Sequence, residues 1–293
     1  MFTEAIEKVS KYTRPIHTIS RLYNSEEVIP GAATIFIVNE QGWALTCKHV
    51  VEFLATSDQI HKKYESFRHE LNSMDGITDT ATKKELELRY QYSDKSTVEV
   101  KNTFVDCVDR LSGYKVHIHP KYDLALIKFE GFNKLNCAEF PIFQSDTSYL
   151  KQGRFLCRLG YPFPEFRNFR YDKVNNRIDW TNEGHRGSPK FPIEGMITRF
   201  LSDGSKPFGI EMSVPGLKGQ SGGPLFNKDG IIQGMQFATQ HLHLGFDIEN
   251  KEIVVDGEKK RINDYSFIHL GQCIHVSVLK EFMTQKGVAF NEG

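Results

Sequence analysis

The stretch Gly219-Gln220-Ser221-Gly222-Gly223-Pro224-Leu225 places three glycines around one serine hydroxyl. A serine hydroxyl is a poor nucleophile at neutral pH, so a catalytic one needs a nearby base and a place for negative charge to go. Lacking a Cβ, Gly219 can turn its N–H outward beside that of Ser221, and two such donors aimed at one point form an oxyanion hole. Gly222 and Gly223 would let a peptide carbonyl approach closely. The same stretch would serve equally well as a tight turn between strands, so residues elsewhere in the chain must decide.

The base must come from one of 11 histidines. Ten of them sit among polar or alternating residues that suit surface or packing roles. His49 differs: in "GWALTCKHVVEFL" it directly follows a strand, with Val50, Val51 and Phe53 able to anchor the next turn, and a base on a rigid element is what general-base catalysis requires. A carboxylate should fix the imidazole tautomer. Asp123, in "HPKYDLALIKFE", opens an apolar strand, where an acid needs a partner, although a strand-capping aspartate would read the same way. His241 and His243 stand two apart without any HExxH pattern, so no metal site is expected. Cys47 lies on the strand feeding His49, a poor place for a nucleophile.

The elements that must position these residues are mostly strands. "ATIFIVNEQGWALT" (33–46), "VEVKNTFV", "YKVHIH" and "DLALIKFE" form one set, and "GRFLCRLGYPF", "IEGMITRFLS", "PFGIEMSV" and "GIIQGMQFAT" form a second. Residues 1–29 alternate apolar and charged positions in a helical rhythm that Pro15 interrupts, which predicts a packed N-terminal arm. Residues 55–95 are charged and predict two helical pieces around a turn at Gly76, inserted into a β domain. A loop-rich span runs from Pro164 to Pro192, and "HLGQCIHVSVLKEFMTQKG" predicts a closing strand and helix, with helix and tail over 279–293. These patterns predict an all-β barrel or sandwich architecture with helical additions, in two successive strand sets over 30–145 and 146–278.

Lys+Arg and Asp+Glu both number 37, so no basic field exists to hold a nucleic-acid backbone. The five cysteines are scattered, odd in number and without metal-type spacing, and read as reduced, mostly buried thiols. No signal-peptide core and no run of roughly 18 apolar residues occurs, which together with the thiols predicts a cytoplasmic protein acting without a membrane.

The order His49, Asp123, Ser221 in these contexts resembles the chymotrypsin-like serine peptidases, and among them the short bacterial HtrA-type branch. "TCKHVV", "YDLALIKF" and "GQSGGPLFN" carry the resemblance, from about Gly31 to Val278. It implies two perpendicular six-stranded β-barrels with a catalytic triad of His49, Asp123 and Ser221 in the cleft and an oxyanion hole from Gly219 and Ser221, with no cofactor. It also places Pro215 at the base of the primary specificity pocket and Phe237, Ala238 and Thr239 on its other wall. No acid occupies that base, so cleavage after an uncharged, small to medium apolar residue is expected, rather than after Lys or Arg. The substrate would be a protein or peptide. No Ile-Val-Gly-Gly type start and no PDZ-like region after Val278 is expected to operate. The 55–95 insertion and the 164–192 loop are either decoration on the fold or a docking surface for a regulatory partner, and a partner or ligand would order the loop before Ser221. The competing reading is a module of the same fold that binds rather than cleaves.

Overall fold

Strands of alternating pattern bury one face each, and here they assemble into two curved sheets around a continuous apolar core. The computed structural model describes residues 1–73, 80–204 and 206–293. The first sheet comprises β1 (Thr13–Leu22), β2 (Val28–Ile37), β3 (Trp43–Thr46), β4 (Thr97–Phe104), β5 (Gly113–Ile118) and β6 (Ala125–Glu130), in the order β4-β1-β2-β3-β6-β5. All its neighbouring pairs are antiparallel. It is a half-barrel, because β4 and β5 are not paired with each other. Phe104 fills that gap, its ring edge-on to Tyr114 of β5 and Phe129 of β6 with centroids 5.1 Å away in both cases.

The second sheet is the closed one. After β7 (Ile142–Phe143) come β8 (Phe155–Gly160), β9 (Phe169–Asp172), β10 (Arg177–Trp180), β11 (Phe191–Ser202), β12 (Pro207–Met212), β13 (Pro224–Phe226) and β14 (Ile231–His243). They are followed by β15 (Ile248–Val255), β16 (Glu258–Asp264), β17 (Phe267–His275) and β18 (Asn291–Glu292). Six of these run in the order β13-β8-β11-β12-β17-β14, and β14 pairs back with β13 to close the ring. The architecture is the chymotrypsin-like one, mostly β with helical additions.

Residues 1–29 are more than an arm. A helix, α1 (Thr3–Ser10), buries Ala5 and Val9, and the chain then enters β1, which pairs with both β2 and β4. Pro15 is tolerated inside this strand because its carbonyl accepts from Val105 N–H, so its missing N–H faces the same side, just past the last β4 pair at Ile16–Phe104.

The insertion begins earlier than its composition suggests. Helix α2 (Lys48–Ser73) starts at the end of β3 and runs for 26 residues, followed by α3 (Thr80–Tyr90). The turn expected at Gly76 lies outside the described residues. Near its start α2 buries Val50, Val51 and Leu54 in the main core, while Tyr64 and Phe67 join Tyr23, Leu86 and Val98 in a separate aromatic cluster. The span 164–192 contains the hairpin β9–β10, which packs through Phe166 and Ile178 onto Ile19 of β1. The closing helix, α4 (Val276–Gln285), starts directly on the end of β17 and buries Leu279, Phe282 and Met283.

The long pair β14–β17 projects beyond the barrel and carries the hairpin β15–β16 at its end. The five cysteines are free and four of them are buried. Among the described residues, no helix is long and apolar enough to cross a membrane.

Phe67 is 2 % exposed, stacked on Tyr64 and edge-on to Tyr23, Tyr90 and Tyr92, so Phe67→Ala should remove about 3–5 kcal/mol from the α2–α3 cluster. Hydrogen exchange should show lost protection in the distal half of α2 and in α3, with the second barrel unchanged.

Candidate active site

The site is built outward from the turn before β6. His119 Nδ1 accepts the backbone N–H groups of Lys121 and Tyr122 at 3.1 and 3.0 Å, and Tyr122 stacks on Phe208 of the second barrel with ring centroids 5.1 Å apart. This turn presents Asp123 to the start of α2. Oδ2 of Asp123 lies 2.6 Å from His49 Nδ1, and Oδ1 accepts the backbone N–H of His49 at 3.0 Å. Burial pushes the Asp123 carboxyl up, but the His49 ring and backbone N–H groups, with that of Lys48, outweigh it and hold it below the usual carboxylate value. An ionised carboxylate can only accept, so Nδ1 carries the proton and Nε2 of the neutral ring offers a lone pair.

Ser221 sits in the loop from β12 to β13. Gly219 has a φ of +95°, and a Cβ there would come within 2.7 Å of the Tyr161 carbonyl, so only glycine fits. Its carbonyl accepts the Thr34 hydroxyl at 2.8 Å, while the Thr34 N–H donates to the Ser221 carbonyl at 3.0 Å. Gln220 is fully buried: its Oε1 accepts Leu217 N–H at 3.1 Å and its Nε2 donates to the Phe191 carbonyl at 3.1 Å. Among the described residues, the N–H groups of Gly219 and Ser221 and the Ser221 Oγ have no hydrogen-bond partner. Gly222 and Gly223 do a different job from the one their sequence suggests. A Cβ on Gly222 would lie 2.1 Å from the Thr34 carbonyl, and one on Gly223 would lie 2.3 Å from that of Leu159, so they admit neighbouring strands of this chain.

His49, Gly219 and Ser221 line one cavity of about 320 Å³, walled by β1, β2 and the first turns of α2. Phe237, Ala238 and Thr239 lie on β14, and Pro215 lies in the loop from β12 to β13 that also carries Ser221. Thr239 Oγ1 donates to the Gly216 carbonyl at 2.7 Å, and Gln236 Nε2 donates to that of Ala238 at 2.6 Å. The Pro215 carbonyl accepts Arg158 Nη2 at 2.8 Å, and the same nitrogen donates to Val214 at 3.1 Å.

Cys47, His49 and Asp123 place potential ligand atoms within 4.8 Å of one another, the one such group among the described residues. The Cys47 thiol is pushed up by burial and then by the Asp123 charge, and it donates to the Gln236 carbonyl at 3.2 Å. It is a protonated donor, a poor thiolate ligand.

Sequence reasoning picked out His49, Asp123, Gly219 and Ser221 but missed Thr34, Gln220, His119 and Arg158. A threonine in an apolar strand, or an arginine in "FLCRLG", carried a weak signal as the polar residue on a buried face.

Residues 33–235 match the family model of the trypsin-like peptidase domain. No curated protein matches the chain by sequence. Among solved structures, the HtrA-type protease AlgW with a decapeptide is similar at 12% identity and a TM-score of 0.49, over 97% of this chain and 67% of that one. A variant of AlgW with a tripeptide is similar at 14% identity and a TM-score of 0.47, over 97% of this chain and 63% of that one. The chain thus spans about two thirds of the length of these structures.

Thr34→Val keeps the shape but leaves the Gly219 carbonyl and the Tyr161 N–H unpaired, and should cost about 1–3 kcal/mol in denaturant unfolding. The His119 imidazole is held below its ordinary value by burial, with Glu281 opposing and Lys121 assisting. Its support of the Asp123 turn is therefore complete above about pH 6.5 and is lost as the pH falls through the lowered value. Protection of the Lys121 and Tyr122 amides, relative to their intrinsic exchange at each pH, should fall over that range, and in His119→Ala should be low at every pH.

Proposed function

Since the chain belongs to the trypsin-like peptidase family, we propose that it is a serine endopeptidase whose triad is His49, Asp123 and Ser221. Ser221 Oγ attacks a peptide carbonyl, His49 Nε2 takes the proton and returns it to the leaving amine, and Asp123 holds the ring and stabilises the imidazolium. The N–H groups of Gly219 and Ser221 receive the oxyanion. The observation that carries this reading is the conjunction at one cavity of an Asp123-bound His49, a serine hydroxyl and two N–H donors left without partners. The Ser221 Oγ makes no bond to His49 here, and substrate binding tightens such contacts.

On the acyl side, the Thr239–Gly216 bond joins the two walls, and the buried Arg158 guanidinium lies beneath them. Both features suit a small uncharged residue before the scissile bond and oppose Lys or Arg. A partner or ligand engaging the α2–α3 insertion, whose first helix carries His49, would adjust turnover by ordering the loop before Ser221. The setting that fits the free thiols is the cytoplasm.

A fluorophosphonate probe should label the purified chain and fail to label Ser221→Ala. Cleavage profiling on a denatured proteome should return cuts after small uncharged residues. Cuts mainly after Lys or Arg would overturn the acyl-side assignment, and a folded chain that takes no label would instead support a binding module.

A further inference from the structure

The two sides of Ser221 are built differently. The acyl side is closed: besides the Thr239–Gly216 bond, a Cβ on Gly216 would stand 2.1 Å from Gln236 Nε2, so the Gln236 amide occupies the space against that wall. The His49 side is open, with a cavity of about 320 Å³, within the ~300–1,000 Å³ usual for ligand sites. Its walls are Ile16, Ile29 and Ala33 from β1 and β2, and Val50, Phe53 and Leu54 from α2. Phe53 and Ile29 are 43% and 38% exposed, large apolar side chains that a ligand would remove from water. The titratable side chains on its lining are His49 and Lys218, and no acid contributes.

The chemistry says which part of a substrate lies there. His49 must hand its proton to the leaving amine, so the segment that departs lies on the side of the serine nearest His49. Resting on the peptidase reading, we infer that this chain selects substrates chiefly by the residue after the scissile bond, taking a large apolar side chain (Leu, Ile or Phe) into the cavity between β1–β2 and α2. The insertion then has a catalytic purpose. By extending the helix of His49 to 26 residues and anchoring its far part through Tyr64 and Phe67, it holds Val50, Phe53 and Leu54 as a rigid wall.

The test uses the full chain and internally quenched peptides with a fixed acyl half, in which the residue after the scissile bond is Leu, Phe, Gly, Asp or Lys. Leu and Phe should exceed Gly and Asp in kcat/KM by roughly tenfold or more. Phe53→Glu should erase that preference and favour Lys. Ile29→Glu, on the opposite wall, should do the same and guards against a folding defect in either variant, which circular dichroism would reveal. A labelled, active chain with a flat profile, or an apolar preference that survives both folded variants, overturns this inference alone. A wild-type chain that takes no fluorophosphonate overturns the peptidase reading and this inference with it.

Discussion

The carboxylate of Asp123 stands at the N-terminus of α2, and the geometry of the site follows from that placement. One oxygen meets the His49 ring and the other meets the His49 backbone N–H, so a single group fixes both the imidazole and the first turn of the helix that carries it. The helix end favours the anion through its unpaired N–H groups, which helps to explain why the carboxyl is held down in spite of burial. Fixing the first turn also fixes the direction of a rod that is about 39 Å long at about 1.5 Å per residue. The insertion is therefore coupled to the histidine by covalent continuity, and whatever moves Tyr64 or Phe67 acts on the same rigid element.

The serine loop is fixed from the opposite sheet. Every polar group of Thr34 is engaged there: its N–H goes to Ser221, its hydroxyl goes to Gly219 and receives Tyr161 N–H at 3.1 Å, and its carbonyl receives the Thr46 hydroxyl at 2.8 Å. With Gln220 holding Leu217 and Phe191 from below, the peptide groups around Ser221 have little freedom to rotate. Among the described residues the N–H groups of Gly219 and Ser221 are left without partners. Both residues line the cavity, where a ligand oxygen can complete these donors.

This explains which parts could be read from the chain. His49, Asp123 and Ser221 each stand in a local context with its own signature: a strand end, a strand mouth and a glycine loop. Thr34 and Gly219 are 185 residues apart, and no local pattern announces a bond across that distance. Two successive strand sets were legible from alternation, but closure was not, since it depends on β13 pairing with β14 and on Phe104 filling the gap in the first sheet. β1 was hidden by Pro15, which reads as a breaker unless its missing N–H is known to lie beyond the ladder. The β15–β16 arm has a local signal of its own, Asp256-Gly257 between "IVV" and "EKKRI", the usual two-residue hairpin turn.

The least expected group is Arg158. Its guanidinium is fully buried, and no carboxylate pairs with it among the described residues. Carbonyls of Val214 and Pro215 and the side-chain oxygen of Gln236 accept its protons, yet Nε has no partner, and burial lowers its pKa. Burying a cation this way costs several kcal/mol unless its acceptors are well placed. Here the acceptors belong to the two walls that meet at Gly216, so the charge draws those walls together and sets a positive potential beneath them. A lysine or arginine side chain arriving on that side would face both a closed wall and a like charge. The His49 side has no such closed wall, and it is there that the fold leaves apolar surface to be covered.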